Sequence, residues 1–254
     1  MENVKFVASF KDNGYIELMN ATLVFIPCHM GSAAVFKDQI AHFEKYYPVH
    51  VADTMSHNSI NGMAEAVLDA VSGTVIPIGL SMGGYVAMEM LYLAGKRLTG
   101  LVIMDSNPYA ESETRRMKRL AEHDLINHGR YVGMTRAGVR RMISETHMQD
   151  AALVERIINM AREPGQLIYE AQMHAIINRR DYAATLSACP CPALIMYGSE
   201  DKVTPAGWHH DMQNMIPQAR LIELPDTGHL ITMEQPQQVS KHLDDFLTEL
   251  KYQV

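Results

Sequence analysis

The chain has 254 residues, 47% hydrophobic and 20% charged, enough for one sizeable core with a small addition. A formal charge of −7 argues against a broad basic face for nucleic acid. No stretch reaches the roughly 18 apolar residues of a membrane span, and three cysteines cannot all pair. MENVKFVASFKDNG also lacks the apolar run of a signal peptide. The expectation is a cytoplasmic protein with neither nucleic acid nor membrane among its partners.

Val4–Phe10 and Tyr15–Met19 read as strands, joined by a tight turn at Asn13–Gly14. Leu23–Pro27 is a continuous apolar run, the pattern of a strand covered on both faces. Val35–Tyr47 has helical periodicity, with Phe36, Ile40 and Phe43 on one side. A short strand at Val49–Ala52, a helix at Met63–Ser72 and a buried strand at Thr74–Ile78 follow. After them come a helix at Tyr85–Leu93 and a strand at Leu98–Met104. The same alternation resumes late, with strands at Ala193–Tyr197 and Arg220–Leu224 and helices at Gly207–Met215 and Val239–Lys251. Strands alternating with helices predict an α/β fold: a mostly parallel, twisted sheet with helices on both faces. Residues 107–187 break the alternation with three helical, charged stretches: ESETRRMKRLAEHDL, GVRRMISETHM and AALVERIINMAREPGQLIYEAQMHAIIN. No linker-like composition marks their edges. The segment therefore reads as a helical cap inserted into a core built from residues 1–106 and 188–254.

GLSMGG, residues 79–84, follows a buried strand and precedes a helix. In that context Gly-x-Ser-x-Gly places the serine on a sharp strand-to-helix turn, where bulkier neighbours two positions away would collide. Ser81 is the candidate nucleophile. A free hydroxyl is a weak one and needs a base, a group to orient that base, and donors for the developing oxyanion. His229, which follows a late strand in LPDTGHLITMEQP, is the candidate base, with Gly228 expected to let the backbone turn there. Asp201, just after the strand Ala193–Tyr197, is the candidate orienting acid, and Asp105 at the end of Leu98–Met104 is its rival. His57, His209 and His210 read as surface residues. Backbone N–H groups of Met82 and of the stretch Cys28–Gly31 are the expected oxyanion donors.

GLSMGG, YGSEDKVTP and LPDTGHLITMEQP, in that order, resemble the α/β-hydrolase superfamily over nearly the whole chain. The predicted cap is similar in character to small esterases and lactonases of the 3-oxoadipate enol-lactonase type. The resemblance implies an α/β-hydrolase fold and a Ser81–His229–Asp201 triad, with His29 as the second oxyanion donor beside Met82 and no metal or organic cofactor. It also shows a departure, since Pro27–Cys28–His29 stands where the family usually has His-Gly-x. Cys28 and Met30, in this loop, are expected to touch the substrate.

Cys189–Pro190–Cys191–Pro192 offers too few ligands for a metal site and reads as structural. Arg136, Arg140 and Arg141 lie in the predicted cap, and Arg136 is the candidate to meet a substrate carboxylate. The function expected is hydrolysis of a small carboxylic ester or lactone through an acyl-enzyme. The alternatives are a carbon–carbon bond hydrolase of a ring-fission diketone, a cofactor-free perhydrolase, and a non-catalytic ligand receptor.

Overall fold

The computed structural model describes residues 21–125 and 131–253. The strands expected at Val4–Phe10 and Tyr15–Met19, with their turn, lie outside the described residues.

Six parallel strands form one sheet: β1 (Thr22–Ile26), β2 (Val49–Val51), β3 (Val75–Leu80), β4 (Leu101–Met104), β5 (Ala193–Gly198) and β6 (Arg220–Leu224). Their spatial order is β2-β1-β3-β4-β5-β6. The inner strands β3 and β5 are buried at every residue, whereas the edge strands β2 and β6 are largely half-exposed. This is why the inner strands read as unbroken apolar runs.

Period-two alternation sorts the strand side chains into two cores. Leu23, Phe25, Ile76, Ile78, Leu80, Val102, Met104, Leu194 and Met196 point to one face. Val24, Ile26, Val75, Leu101, Ile103, Ala193 and Ile195 point to the other.

The helices in chain order are α1 (Lys37–Phe43), α2 (Ile60–Ala70), α3 (Met82–Ala94), α4 (Glu113–Leu125), α5 (Arg136–Val139), α6 (Ala151–Arg162), α7 (Gly165–Ile177), α8 (Ala183–Ser187), α9 (Ala206–Met215), α10 (Ile231–Glu234) and α11 (Pro236–Gln253). Residues from α1, α6 and α11 join the first core, and residues from α2, α3, α7, α8 and α9 join the second. No helix among the described residues is long and apolar enough to cross a membrane.

Between β4 and β5 the described residues are largely helical, with two departures from the expected pattern. AALVERIINMAREPGQLIYEAQMHAIIN divides into α6 and α7 around Pro164 and Gly165, the latter at φ 77°. GVRRMISETHM is not one helix: α5 ends at Val139, and only a 3-10 turn, His147–Gln149, follows. Here two backbone groups leave helical pairing for the site: Met142 O accepts from His229 N (2.6 Å), and Ser144 N donates to Glu234 Oε2 (2.9 Å).

Candidate active site

β3 ends at Leu80 and α3 begins at Met82, so one residue makes the turn between them. Ser81 takes φ 55° and ψ −112°, a region that costs a non-glycine residue on the order of 1–3 kcal/mol. The turn is pinned by Ser81 N donating to Met104 O (2.8 Å), and by Gly84 N and Ser106 Oγ donating to Ser81 O (2.9 Å each). The glycines are dictated by close approach. A Cβ on Gly79 would lie 2.2 Å from Gly83 O, and one on Gly83 would lie 2.0 Å from Ile26 O. As the first residue of α3, Met82 has no intrahelical acceptor for its N–H.

Ser81 Oγ lies 2.9 Å from His229 Nε2, and His229 Nδ1 lies 2.8 Å from Asp201 Oδ2. Three side chains separated by 120 and 28 residues in the sequence thus form one hydrogen-bonded line. Asp201 also accepts from Val203 N (2.7 Å), Thr204 N (3.0 Å) and the Thr204 hydroxyl. Burial works against its ionisation. The charge and hydrogen bond of His229, with the Thr204 donors, nevertheless hold its pKa down at about 2.

Asp105, the rival acid, is fully buried near both groups, but its oxygens accept from Gly198 N (3.0 Å) and Ile231 N (3.4 Å). Burial, then the neighbouring Asp201 charge, raises its pKa well above the usual carboxylate range. It braces the two loops that carry Asp201 and His229. Asp105, Asp201 and His229 are also the one group of three potential metal ligands among the described residues. Every nitrogen and oxygen they could offer already has a hydrogen-bond partner, an arrangement suited to moving a proton.

The loop carrying His229 departs from expectation in detail. Its left-handed residue is Asp226 (φ 52°), not Gly228. Gly228 is needed because a Cβ there would lie 2.6 Å from both Met142 O and Ile143 Cα. Glu234, which the sequence reading passed over, organises this loop. Its buried carboxylate accepts from Gly228 N (3.0 Å), Leu230 N (3.2 Å) and Ser144 N (2.9 Å). The available signal was a lone acid inside an apolar stretch, LITMEQP.

His209 also corrects the sequence reading. It is fully buried and stacked on Tyr197 at 4.6 Å, and its Nε2 accepts from Ser106 N (3.2 Å). Burial lowers its pKa to about 4, so the ring is neutral and able to accept. His57 is half-buried and His210 is exposed.

A cavity of about 590 Å³ opens over Ser81 and His229. Residues after the strand ends line one side of it, including Cys28, His29, Met30, Met82 and Thr204, and residues from 115–119 and 131–176 line the rest. Burial pushes the Cys28 thiol up to about 12 and keeps it neutral. Met30 N donates to Gln172 Oε1 (2.8 Å) while Gln172 Nε2 donates to Thr54 O (2.9 Å), so α7 clamps the loop after β1. Burial and the charge of Arg119 lower His29 to about 4, against the pull of the Tyr169 backbone. Its buried Nε2 has no hydrogen-bond partner among the described residues.

Arg136 is displaced from its expected role. It is exposed, donates to Met148 O (3.3 Å) and does not line the cavity. Arg115, Arg119 and Arg141 line it instead. Cys189 and Cys191 lie away from the cavity with their sulfurs 3.7 Å apart.

A family model described as the alpha/beta hydrolase family matches residues 23–242, which take in the sheet from the second residue of β1 onward and all three members of the Ser81 line. The chain belongs to the alpha/beta hydrolase family. This hydrolase is 25% identical, over 226 residues, to a pimeloyl-[acyl-carrier protein] methyl ester esterase of Nitrosomonas europaea, covering 81% of the chain and 87% of that protein. Among solved structures, the thermophilic esterase of Thermogutta terrifontis superposes with a TM-score of 0.79 at 21% identity, covering 92% and 91% of the two chains. The enol-lactonase of Burkholderia xenovorans gives 0.76 at 18%, covering 90% and 92%. At these identities the two structures speak for the fold.

Proposed function

We propose that this hydrolase cleaves small carboxylic esters or lactones through an acyl-enzyme on Ser81. The observation that carries the reading is the unbroken line from Ser81 Oγ through both nitrogens of His229 to Asp201. In the first half-reaction Ser81 Oγ bonds to the carbonyl carbon as its proton passes to His229 Nε2. The C–O bond to the leaving group then breaks, and His229 returns the proton to the departing alcohol oxygen. In the second half a water gives its proton to His229 and attacks the acyl carbon, and Ser81 leaves with that proton. Asp201 keeps Nδ1 protonated and stabilises the transient imidazolium.

The N–H groups of Met82 and His29 are the proposed oxyanion donors. Both residues border the cavity beside Ser81, and the N–H of Met30 is occupied by Gln172. Residues 107–187 act as the cap, supplying the wall that faces the nucleophile. Cys28 and Met30 are proposed to contact the acyl group. The named activity of the Nitrosomonas relative, hydrolysis of a methyl ester, supports the ester reading over cleavage of a carbon–carbon bond.

The test is turnover of p-nitrophenyl acetate and butyrate, with labelling by a fluorophosphonate. Ser81→Ala is expected to abolish both while keeping the wild-type unfolding midpoint. Equal turnover by Ser81→Ala would remove Ser81 from the mechanism.

A further inference from the structure

Two of the three cysteines have no part in the hydrolase reaction. Cys189–Pro190–Cys191–Pro192 leads from α8 into the start of β5, while Asp201 follows the other end of that strand. The pair therefore lies at the sheet end remote from Ser81. Both thiols are free, and Cys189 Sγ lies 3.7 Å from Cys191 Sγ and 3.4 Å from the Cys191 carbonyl oxygen. The main chain holds this approach. Each cysteine precedes a proline, which fixes its own φ and restricts the residue before it. Cys189 N donates to Leu186 O (3.0 Å), Leu101 N donates to Pro192 O (3.1 Å), and Gln218 Nε2 donates to Cys189 O (3.3 Å). The sulfurs need close only from 3.7 Å to the ~2.05 Å of a disulfide.

The two thiols are not equivalent. Cys191 is buried in the second core, whereas Cys189 is half-buried between the exposed Ala188 and Pro190. The Cys191 S–H, donated to its neighbour, holds the Cys189 thiol below the ordinary thiol range, against burial and with help from the Cys191 main chain. The same hydrogen bond, followed by burial, raises Cys191. The sulfur nearer solvent is thus also the more readily ionised one, and both properties are needed in an attacking thiol. The sulfur behind it is within reach of any bond formed there. The third cysteine, Cys28, is buried and kept neutral in the Ser81 cavity.

We propose that Cys189 and Cys191 form a thiol–disulfide exchange site for low-molecular-weight disulfides, with Cys189 as the attacking thiol and Cys191 as the resolving one. The Cys189 thiolate, its proton lost to water, bonds to one sulfur of the small disulfide. The disulfide's own S–S bond breaks, and the departing thiolate takes up a proton. Cys191 then gives its proton to water and bonds to Cys189 Sγ, and the mixed disulfide breaks to release the second small thiol. The protein loses two electrons and two protons, and the small disulfide gains them. A bridge at a half-exposed position is of the labile kind, so excess small thiol runs the sequence backwards.

The experiment treats the folded, reduced chain with the chromogenic disulfide dithiobis(nitrobenzoate) and follows absorbance and intact mass, so it is independent of ester turnover. The wild type is expected to release two thionitrobenzoate ions for each chain and to end two hydrogens lighter, with no adduct and the bridge mapped to Cys189–Cys191. Cys191→Ser should release one ion and keep the adduct on Cys189. Cys189→Ser should slow the first release by roughly tenfold or more, because the remaining thiols are buried. The wild-type rate of first release should rise through a pKa below the ~8.5 of a free thiol, and Cys191→Ala should move that midpoint upward. Glutathione disulfide should give the same bridged product, and excess glutathione should reopen it. A wild-type chain that retains the adduct, or that releases no ion until unfolded, would overturn the proposal. Equal first-release rates in Cys189→Ser and wild type would overturn it as well.

Discussion

Glu234→Ala tests whether the base is held by the scaffold around it. The substitution removes the acceptor for three buried main-chain donors, Gly228 N, Leu230 N and Ser144 N, and the partner of His147 Nδ1 at 3.3 Å. Each buried donor left unpaired costs about 1–3 kcal/mol. Water entering the vacated space would satisfy part of the set, so the expected loss of stability is about 3–5 kcal/mol. Two of the three donors flank His229 directly, so kcat should fall by more than KM rises. Urea unfolding with a fixed m-value, together with steady-state kinetics on a p-nitrophenyl ester, reads both quantities. Glu234→Gln, which keeps one acceptor oxygen, should fall between the two proteins. A loss under about 1 kcal/mol with unchanged kcat would show that the loop holds its shape without the carboxylate.

Asp201→Asn should cut kcat by roughly 10⁴-fold while leaving the fold intact, because the amide no longer fixes the His229 tautomer; rate measurements on the same ester check it. Because the pKa of Asp201 is depressed, its contribution to stability is complete above the ordinary carboxylate range and is lost as pH falls toward 2. Asp201→Asn should flatten that part of the profile in an acid titration. His209, lowered to about 4, takes up its proton more readily when unfolded, so stability should fall as pH drops from about 6.5 to 4, by on the order of 3 kcal/mol. His29 adds a decline of the same sign. His209→Gln, which can still accept from Ser106 N, should weaken the dependence, seen in urea midpoints at pH 7, 5.5 and 4.5. Gly83→Ala should destabilise by more than about 3 kcal/mol, since its Cβ would meet a main-chain oxygen that cannot move without shifting β1. Thermal unfolding tests it.

The sheet was readable because its inner strands are apolar at every position, and the serine because its glycines are forced by contacts within β3–α3 and with β1. His229 was readable for the same reason, standing beside a glycine after the last strand. Other features depend on neighbours remote in the chain. The choice between Asp105 and Asp201 turns on which carboxylate has its oxygens already taken by Gly198 and Ile231, and no local pattern reveals that. His209 looks like a surface residue in GWHHDM, until the stacked Tyr197 and the Ser106 N–H give it a buried place. GVRRMISETHM has helical composition, but two long-range hydrogen bonds to the His229 loop and Glu234 outweigh a few tenths of a kcal/mol per residue in helix preference. Among the arginines, helical position could not distinguish the exposed Arg136 from Arg119, whose direction is set by Glu111.

The hydrogen bond from His229 N to the Met142 carbonyl ties the loop carrying this imidazole to the irregular segment after α5 as well as to the sheet. Any displacement of that segment from the sheet would be passed on to the imidazole that meets Ser81.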